Sequence, residues 1–408
     1  MAGMLSFVSG SASKPKTQAT AATTVALEAL PVQDIEADQE RRGRSLKHLL
    51  KANHINYSVV YYKDLQLNNV NSHSLTTAYI LGGNENHLDT IYNDHIRILD
   101  PWTPSPAEVI DEDWRDFLGD RNYQRAFLDF YEDKLAFSFA YDWKQEIKHV
   151  LTDGDEPLIN CLIGAFGHPL THLALAFEIN SRALAMEGLS LASIHYNELH
   201  KYLDNPSYTK PSTLPSLSLQ ELISRLANDE RLEGVVTQDK HSHLESVLLQ
   251  HEDLILDYWN AWQIVDATKQ FQDLQEAAVA LFVTSRTKSF HLYAAQVLTA
   301  SNSIRILLPY IPAEYHVSLL RQWWLLAIAV CLLTGRPEPS SANLVKDAGG
   351  RGWKHVVDKA INGPYLADAS YLKAVRAMKE AATTWGDADE LYLRSALTFV
   401  DNFTEWAD

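Results

Sequence analysis

The sequence is short of several features that commonly identify a class of protein. It has two cysteines in 408 residues, Cys161 and Cys331, and both lie in apolar stretches. Two such residues cannot supply the disulfide framework of a small secreted domain, so we expect buried thiols in a reducing compartment. The apolar segment near the start, Met4 to Val8, is too short for a secretory signal. We therefore expect a cytoplasmic protein.

Positive charge and long apolar runs are also scarce. The chain has 35 Lys and Arg against 52 Asp and Glu, a net charge of −17, and no basic block occurs. Nucleic acid and an anionic membrane are therefore poor partners. The longest apolar run, Trp323 to Leu333, is too short to cross a bilayer as a helix, so we predict a core helix there.

The motifs of the common cofactor and nucleophile enzymes are missing from the sequence. Neither GxGxxG nor GxxxxGK[ST] occurs, and the glycine-rich segment 349–352 follows no predicted strand. No nicotinamide, flavin or nucleotide site is therefore expected. The sequence also lacks a serine nucleophile elbow and the HExxH zinc motif.

Helical periodicity is what the sequence has in quantity. Hydrophobic residues make up 46% of the chain, enough for a large core, and from about Leu27 they recur mostly at helical spacing. We predict an all-α fold: a disordered tail over residues 1–25, then a single large irregular helical domain over residues 26–408 with a central pocket. The predicted helices include Leu189 to Leu203, Ser242 to Ala267 with a break inside it, Lys269 to Ser285, Phe290 to Ala300, Ser303 to Tyr310 and His316 to Leu333.

The stretch from Gly167 to Glu178 contains the main candidate site. Pro169 suits the first position of a helix, where its missing N–H is not needed, so His168 lies at or beside the N-cap. His172 lies one turn further along, close to the same face. Such a pair is two structural histidines, half of a transition-metal site, or a proton-transfer pair. A helix N-terminus disfavours the imidazolium, which keeps the histidine neutral, as a base or a ligand requires.

Four segments, taken in order over roughly residues 60–385, resemble the questin oxidase-like family of fungal and bacterial proteins. They are Asn71 to Gly83, with a histidine before a helix ending in Leu-Gly; His168 to Leu173; Phe290 to Ala300 followed by Leu319-Leu320-Arg321 and Gly335-Arg336-Pro337; and Trp353 with Lys373 to Met378. The resemblance implies a Baeyer–Villiger-type oxidase acting on anthraquinones or related polyketides. For some members it also implies a non-haem iron held by histidines and a carboxylated lysine.

The sequence departs from that metal pattern at three positions, because Val70, Gln296 and Ser370 stand where the resemblance leads us to expect histidines. We therefore interpret the remaining groups as an acid/base set and predict no bound metal. The candidate catalytic residues are His73, His168, His172, His291 and Lys373. The candidate walls of the substrate pocket are Gln296 and Trp353.

The predicted function is oxygenation of a reduced anthrone or anthrahydroquinone, followed by ring expansion or ring opening. A small aromatic polyketide is then the expected partner, with O₂ as co-substrate and no cofactor, because an electron-rich phenolate passes an electron to O₂ directly. A neutral histidine removes the phenol proton, and a second imidazole or Lys373 stabilises the anion. Two alternatives stay open. One is an iron-dependent dioxygenase of the same family that uses His73, His168, His172 and Lys373, and the other is a non-catalytic helical ligand carrier.

Overall fold

A computed structural model describes residues 20–233, 244–284 and 289–407. Within them the chain forms 17 α-helices, linked by loops and short 3-10 turns. The helices are α1 (Arg41–Asn56), α2 (Asn71–Ile80), α3 (Glu85–His95), α4 (Gln124–Phe137), α5 (Trp143–Thr152), α6 (Gly164–Ile179), α7 (Arg182–Ile194), α8 (Lys201–Asp204), α9 (Leu219–Ala227), α10 (Leu244–Gln250), α11 (Glu252–Ala261), α12 (Ala267–Val283), α13 (Leu292–Leu307), α14 (His316–Leu333), α15 (Trp353–Asn362), α16 (Ala369–Trp385) and α17 (Leu391–Asn402).

The strands in the described residues are four pieces of two residues each. β1 (Val60–Tyr61) pairs with β2 (Leu67–Asn68) in antiparallel orientation. β3 (Phe290–His291) pairs in parallel with β4 (Trp406–Ala407). The prediction of an all-α fold with few strands is confirmed.

Helix α6 lies at the centre and packs against α7 and α13. Gly188 on α7 allows the close approach of α7 to α6, since a Cβ atom there would lie 2.7 Å from Leu173 Cδ2. Asn180 ends α6 in the left-handed conformation, with φ of 56°, a common helix stop. Ser181 then begins α7 by accepting a hydrogen bond from the Leu184 N–H. The two helices therefore form an antiparallel hairpin.

Helices α13 and α16 complete the interior. α13 packs against α6, α12, α14 and α16, and α16 also contacts α2 and α17. Asp368 caps α16 by accepting a hydrogen bond from the Tyr371 N–H at 2.9 Å. A buried ion pair between Glu178 on α6 and Arg376 on α16 joins the two helices across the core. Helices α2, α6, α13 and α16 thus surround a common interior region.

Helix α14 is long and apolar enough to cross a membrane by length and composition alone, when counted from Ala313 to Leu333. In this fold 78% of its most apolar window is buried against other helices. The predicted core helix at Trp323 to Leu333 is therefore confirmed. Cys331 on α14 and Cys161 are both buried thiols, as expected.

Two helix predictions were wrong. The chain is not helical throughout Leu189–Leu203, because α7 ends at Ile194 and a 3-10 turn precedes the short α8. The two helices predicted over Phe290–Ala300 and Ser303–Tyr310 are one continuous helix, α13, followed by a 3-10 turn. In the described part of Ser242–Ala267, the predicted break is confirmed, because α10 ends at Gln250 and α11 begins at Glu252. The ends of two predictions, Ser242 and Ser285, lie outside the described residues.

Most of the predicted N-terminal tail, residues 1–19, lies outside the described residues. The rest of it, residues 20–25, rests on the helical domain. The Val25 N–H donates to His316 Nδ1 at 3.1 Å, and the Val25 side chain is buried. The N-terminal segment therefore already contacts the helical domain before residue 26.

Candidate active site

Two buried histidines from different helices form the centre of the site. His73 lies in the first turn of α2, and His172 lies on α6. His73 Nε2 and His172 Nδ1 are 3.1 Å apart and share a hydrogen bond. The packing of α2 against α6 therefore converts two residues far apart in sequence into one hydrogen-bonded pair.

A buried carboxylate continues this pair on its other side. Glu187 on α7 accepts a hydrogen bond from His172 Nε2 through Oε2, at 2.7 Å. Its second oxygen, Oε1, accepts from His54 Nδ1 on α1 at 2.8 Å. His54 Nε2 in turn donates to Glu132 Oε1 on α4 at 3.0 Å. Five side chains thus form one chain from the buried His73 to Glu132, whose side chain is 43% exposed.

The charges of Glu187, His54 and Glu132 alternate in sign along this series of hydrogen bonds. Burial alone would raise the pKa of Glu187, but the hydrogen bonds from His172 and His54 outweigh it and lower the pKa to about 2. Burial opposes a charge on His54, yet its bonds to Glu132 and Glu187 raise the pKa to about 9. At neutral pH, His54 is therefore a cation between two carboxylates.

The hydrogen bonds also indicate which nitrogen of each ring carries a proton. An ionised Glu187 accepts only, so the His172 proton that this bond requires lies on Nε2, which leaves Nδ1 as the acceptor toward His73. His73 must donate its Nε2–H to that nitrogen. Burial, followed by the nearby Lys373 and the other histidines, holds the pKa of His73 well below its usual range. His73 is therefore neutral, and its Nδ1 presents an unprotonated lone pair.

That lone pair has no hydrogen-bond partner among the described residues. His73 Nδ1 is fully buried, and so are the equally unpartnered His168 Nδ1 and Lys373 Nζ. Buried polar atoms in proteins are nearly always paired, and an unpaired one needs an explanation such as a bound water, ion or ligand, or a catalytic role. The three atoms therefore mark a candidate site for a polar ligand.

His168 stands at right angles to His73, with ring centres 5.7 Å apart. It follows a left-handed turn in which Ala165, Phe166 and Gly167 have φ of 49°, 56° and 81°. Regular helix begins after this turn, as predicted from Pro169. Two consecutive non-glycine residues in this conformation are strained, and strain of this kind is found at functional sites. Burial, Lys373, and the nearby His195 and His172 lower the pKa of His168, so it is also neutral.

Lys373 on α16 completes the group. Its side chain is buried, and burial lowers its pKa to about 8, against the opposing charge of Asp368. Together with Thr77, Asn302 and Arg376, it lines a void of about 10 Å³, which is room for about one water molecule. The ammonium group thus contributes positive charge close to two neutral histidines.

The structure does not bring the other predicted residues into this group. His291 is half-buried at the start of α13, where its backbone pairs with Ala407, and none of its ring contacts in the described chain involves His73, His168 or His172. Trp353 begins α15 and packs at the edge of the hydrophobic core. Gln296 lies on α13, where its Nε2 donates to Ser370 Oγ at 3.3 Å. The functional roles of all these residues stay predictions.

The arrangement does not fit an iron ion. His172 uses both ring nitrogens in hydrogen bonds, to His73 and Glu187, so neither is available as a ligand. Gln296 and Ser370, at two of the positions where histidines were expected, bond to each other. No group of three His, Cys, Asp or Glu side chains within the described ranges is placed to hold a metal. We therefore derive no chemical step through iron.

Sequence reasoning missed His54, Glu132 and Glu187. Glu187 had a recognisable signal, because it is a lone carboxylate between Met186 and Gly188 in an apolar helix, and such a group needs a partner. His54 and Glu132 gave no comparable signal, since both lie on amphipathic helices where polar residues are usual. Their role depends on how α1, α4 and α7 meet.

The site is thus a buried series of hydrogen-bonded histidine and glutamate side chains inside an all-α domain. The chain belongs to the questin oxidase-like family, whose model matches residues 67–378. The chain is similar to three Baeyer–Villiger oxidases. One, from Pestalotiopsis fici, is 23% identical over 45% of this chain and 43% of its own length. Another, from Emericella nidulans, is 25% identical over 59% and 57%. The third, from Pestalotiopsis microspora, is 25% identical over 36% and 34%. The matched region spans between about a third and three fifths of these relatives.

Proposed function

We propose that the protein is an oxygenase of the Baeyer–Villiger type that acts on a reduced polycyclic phenol, such as an anthrone or anthrahydroquinone. Membership of the questin oxidase-like family and the names of the similar proteins support this class of reaction. The observation that carries the proposal is the neutral His73, whose Nδ1 is unpartnered and buried beside a lysine ammonium.

In this proposal, His73 Nδ1 is the base that removes the phenol proton. The choice differs from the sequence-based hypothesis, which favoured His168 or His172 as the base. His172 has no free nitrogen, because it bonds to His73 and Glu187. It therefore orients His73, as the middle member of a carboxylate–histidine–histidine series. His168 and Lys373 flank His73 and stabilise the phenolate that forms.

The phenolate supplies the electrons for the chemistry. It reduces O₂ to the peroxide level by two electrons, and the new carbon–oxygen bond leaves a substrate peroxide. The outer peroxide oxygen attacks the neighbouring carbonyl carbon. The bond from that carbon to the ring then moves to oxygen while the O–O bond breaks. The other oxygen stays on the substrate and takes up the proton that the protein holds. Apolar walls that exclude water protect the peroxide from side reactions.

The substrate is larger than the void beside Lys373, which has room for about one water molecule. The proposal therefore includes a separation of the helices that line this void, α2, α6, α13 and α16, when substrate enters. A disulfide between α13 and α16 would prevent it and should abolish turnover.

The experiment is O₂ uptake with chemically reduced emodin, together with metal analysis of the same protein. His73→Gln should lower turnover by roughly 10²–10⁴-fold, the usual contribution of a positioned base. His168→Gln and His172→Gln should lower it as well, with little change in substrate affinity. Near-normal turnover of folded His73→Gln would refute the assignment of the base. Stoichiometric iron that is required for activity would favour the iron-dependent alternative, and binding of the substrate without O₂ uptake would favour a ligand carrier.

A further inference from the structure

The hydrogen-bonded series that begins at His73 does not end inside the protein. Its last two members, His54 and Glu132, line a surface groove of about 930 Å³. The His54 side chain is 13% exposed and that of Glu132 is 43% exposed. Four other basic side chains line the same groove: Lys47, Lys51, Arg125 and Arg182. The interior site and this groove are therefore joined by polar side chains through an otherwise apolar region.

We propose that His73, His172, Glu187, His54 and Glu132 form a proton relay that connects the buried base with this surface groove. This proposal rests on the proposed function, which supplies the proton from the substrate. It adds the path by which an equivalent proton leaves the protein. Each link is a direct hydrogen bond: 3.1 Å between the two rings, 2.7 and 2.8 Å at the two oxygens of Glu187, and 3.0 Å at Glu132.

The transfer balances at every atom. His73 Nδ1 accepts the substrate proton and passes its Nε2–H to His172 Nδ1. His172 passes its own Nε2–H to Glu187 Oε2, which becomes a neutral carboxylic acid. His54 then no longer faces a charged Glu187, and it releases its Nε2–H to Glu132 and on to water in the groove. One proton enters at His73 and one leaves at His54. Reversing the same steps returns a proton for the later protonation of the product.

The residue types explain why such a path is tolerated inside the protein. An isolated charge that arrives at a buried histidine is strongly disfavoured. Here Glu187 is negative and His54 is positive before the transfer, and both are neutral after it. The summed charge of Glu187 and His54 is therefore zero both before and after the transfer. A path built only from neutral histidines would have to hold one uncompensated positive charge.

The charged groups around the relay fit this direction of transfer. Lys373 and His168 face His73, and His95 lies nearby. The cationic Lys373 disfavours an imidazolium at His73 and so promotes onward transfer of the proton. At the opposite end, the hydrogen bond from His54 lowers the pKa of Glu132, and the nearby charges of Arg125 and Arg182 lower it further. They keep this carboxylate ionised and able to accept a proton only briefly before water takes it.

The first test needs no substrate. Nitrogen-15 NMR of selectively labelled histidine should show a doubly protonated His54 at pH 7. It should show His73 as the neutral ring with its proton on Nε2, and Glu187→Gln should bring His54 back toward an ordinary neutral ring. A His73 ring protonated on Nδ1, or a His54 ring that stays neutral at pH 7 in the wild-type protein, would overturn the relay.

The second test restores the relay with a small molecule. His54→Ala should lower turnover of reduced emodin by at least about tenfold, part of the contribution of positioned proton transfer. Added imidazole should restore the rate, because His54 borders the groove and a diffusing base can occupy its place. His200→Ala is the matched control, since it removes a buried histidine that bonds to Asp204 at 3.0 Å outside the relay. Its turnover should not depend on imidazole.

The outcomes separate the two proposals. Folded His54→Ala with normal turnover, or with a loss that imidazole leaves unchanged, would reject the relay. If His54→Ala does not fold, the half-exposed Glu132→Gln takes its place, and it should slow turnover with an increased solvent isotope effect. An unchanged rate and isotope effect in Glu132→Gln would also reject the relay. A wild-type protein that does not oxidise the substrate would refute the proposed function, and NMR would still decide whether the proton path exists.

Discussion

The charge on His54 should make the stability of the protein depend on pH in the alkaline range. The perturbation is His54→Gln, which keeps a polar side chain of similar length and removes the titrating ring. In the folded protein the hydrogen bonds to Glu132 and Glu187 outweigh burial and raise the pKa of His54 from 6.5 to about 9. A group with a raised pKa stabilises the fold fully below its unfolded pKa, and the contribution disappears as pH rises through the folded pKa.

The size of this contribution follows from the difference between the two pKa values. A shift of 6.5 to about 9 corresponds to about 3 kcal/mol, at about 1.4 kcal/mol per pKa unit. The wild-type protein should therefore lose about 3 kcal/mol of unfolding free energy between pH 6.5 and somewhat above pH 9. This free energy already includes the contacts of His54 with both carboxylates. A separate contribution from Glu187 should therefore not be added to it.

The assay is urea denaturation at several pH values across this window. His54→Gln should lose much less stability than the wild type as pH rises, although it starts from a lower value at pH 6. His48→Gln is the matched control, because His48 is exposed on the same helix. It should follow the wild-type curve. Parallel curves for the wild type and His54→Gln would refute the assignment of a charged His54 in the folded state.

Three further predictions test other groups. Lys373→Met should raise the melting temperature, because it removes a buried ammonium that has no hydrogen-bond partner among the described residues. It should also lower turnover by about 10²–10³-fold. Calorimetry and O₂ uptake check these two effects, and a lower melting temperature would contradict the first. Burial raises the pKa of Glu146 to about 8, against the charge of Lys134, so wild-type stability should fall from pH 4.5 to 8, and Glu146→Gln should lose this dependence in melts across that range. Equal pH dependence in both proteins would count against a protonated Glu146. Turnover should survive exhaustive chelation, and no saturable NADPH binding should occur; activity that returns only with added iron would refute the first part.

Much of the fold could be predicted from the sequence, because hydrophobic residues at helical spacing directly indicate long amphipathic helices. The predicted start and end of α14 agree with the structure. A continuous apolar run of that length is stable in water only as a helix buried in the core. The errors occurred where local pattern and tertiary structure compete. Ser301, Asn302 and Ser303 suggested a break between two helices, but α13 continues through them. Two of these polar side chains bond to backbone carbonyls within the helix, so they do not interrupt it.

The site was predictable in part. The pair His168 and His172 followed from local spacing, and His73 and Lys373 followed from a family resemblance. Local spacing could not assign their roles. It gave no indication that His172 bonds to His73 on another helix and to Glu187 on a third. The predicted participation of His291 depended on its sequence distance from Gln296, and that distance does not determine where the ring lies. The relay is formed by tertiary contacts alone.

The strained turn before His168 has a consequence for protein redesign. Phe166, in a left-handed conformation, stacks on Tyr293 in the first turn of α13 with ring centres 4.6 Å apart. This contact compensates for backbone strain that glycine would avoid at the same position. Phe166→Gly would relieve this backbone strain but would also remove the ring contact with Tyr293, and it would free the turn that orients the His168 ring. Conventional stability optimisation, which replaces strained residues first, should be expected to select against activity at this point in the chain.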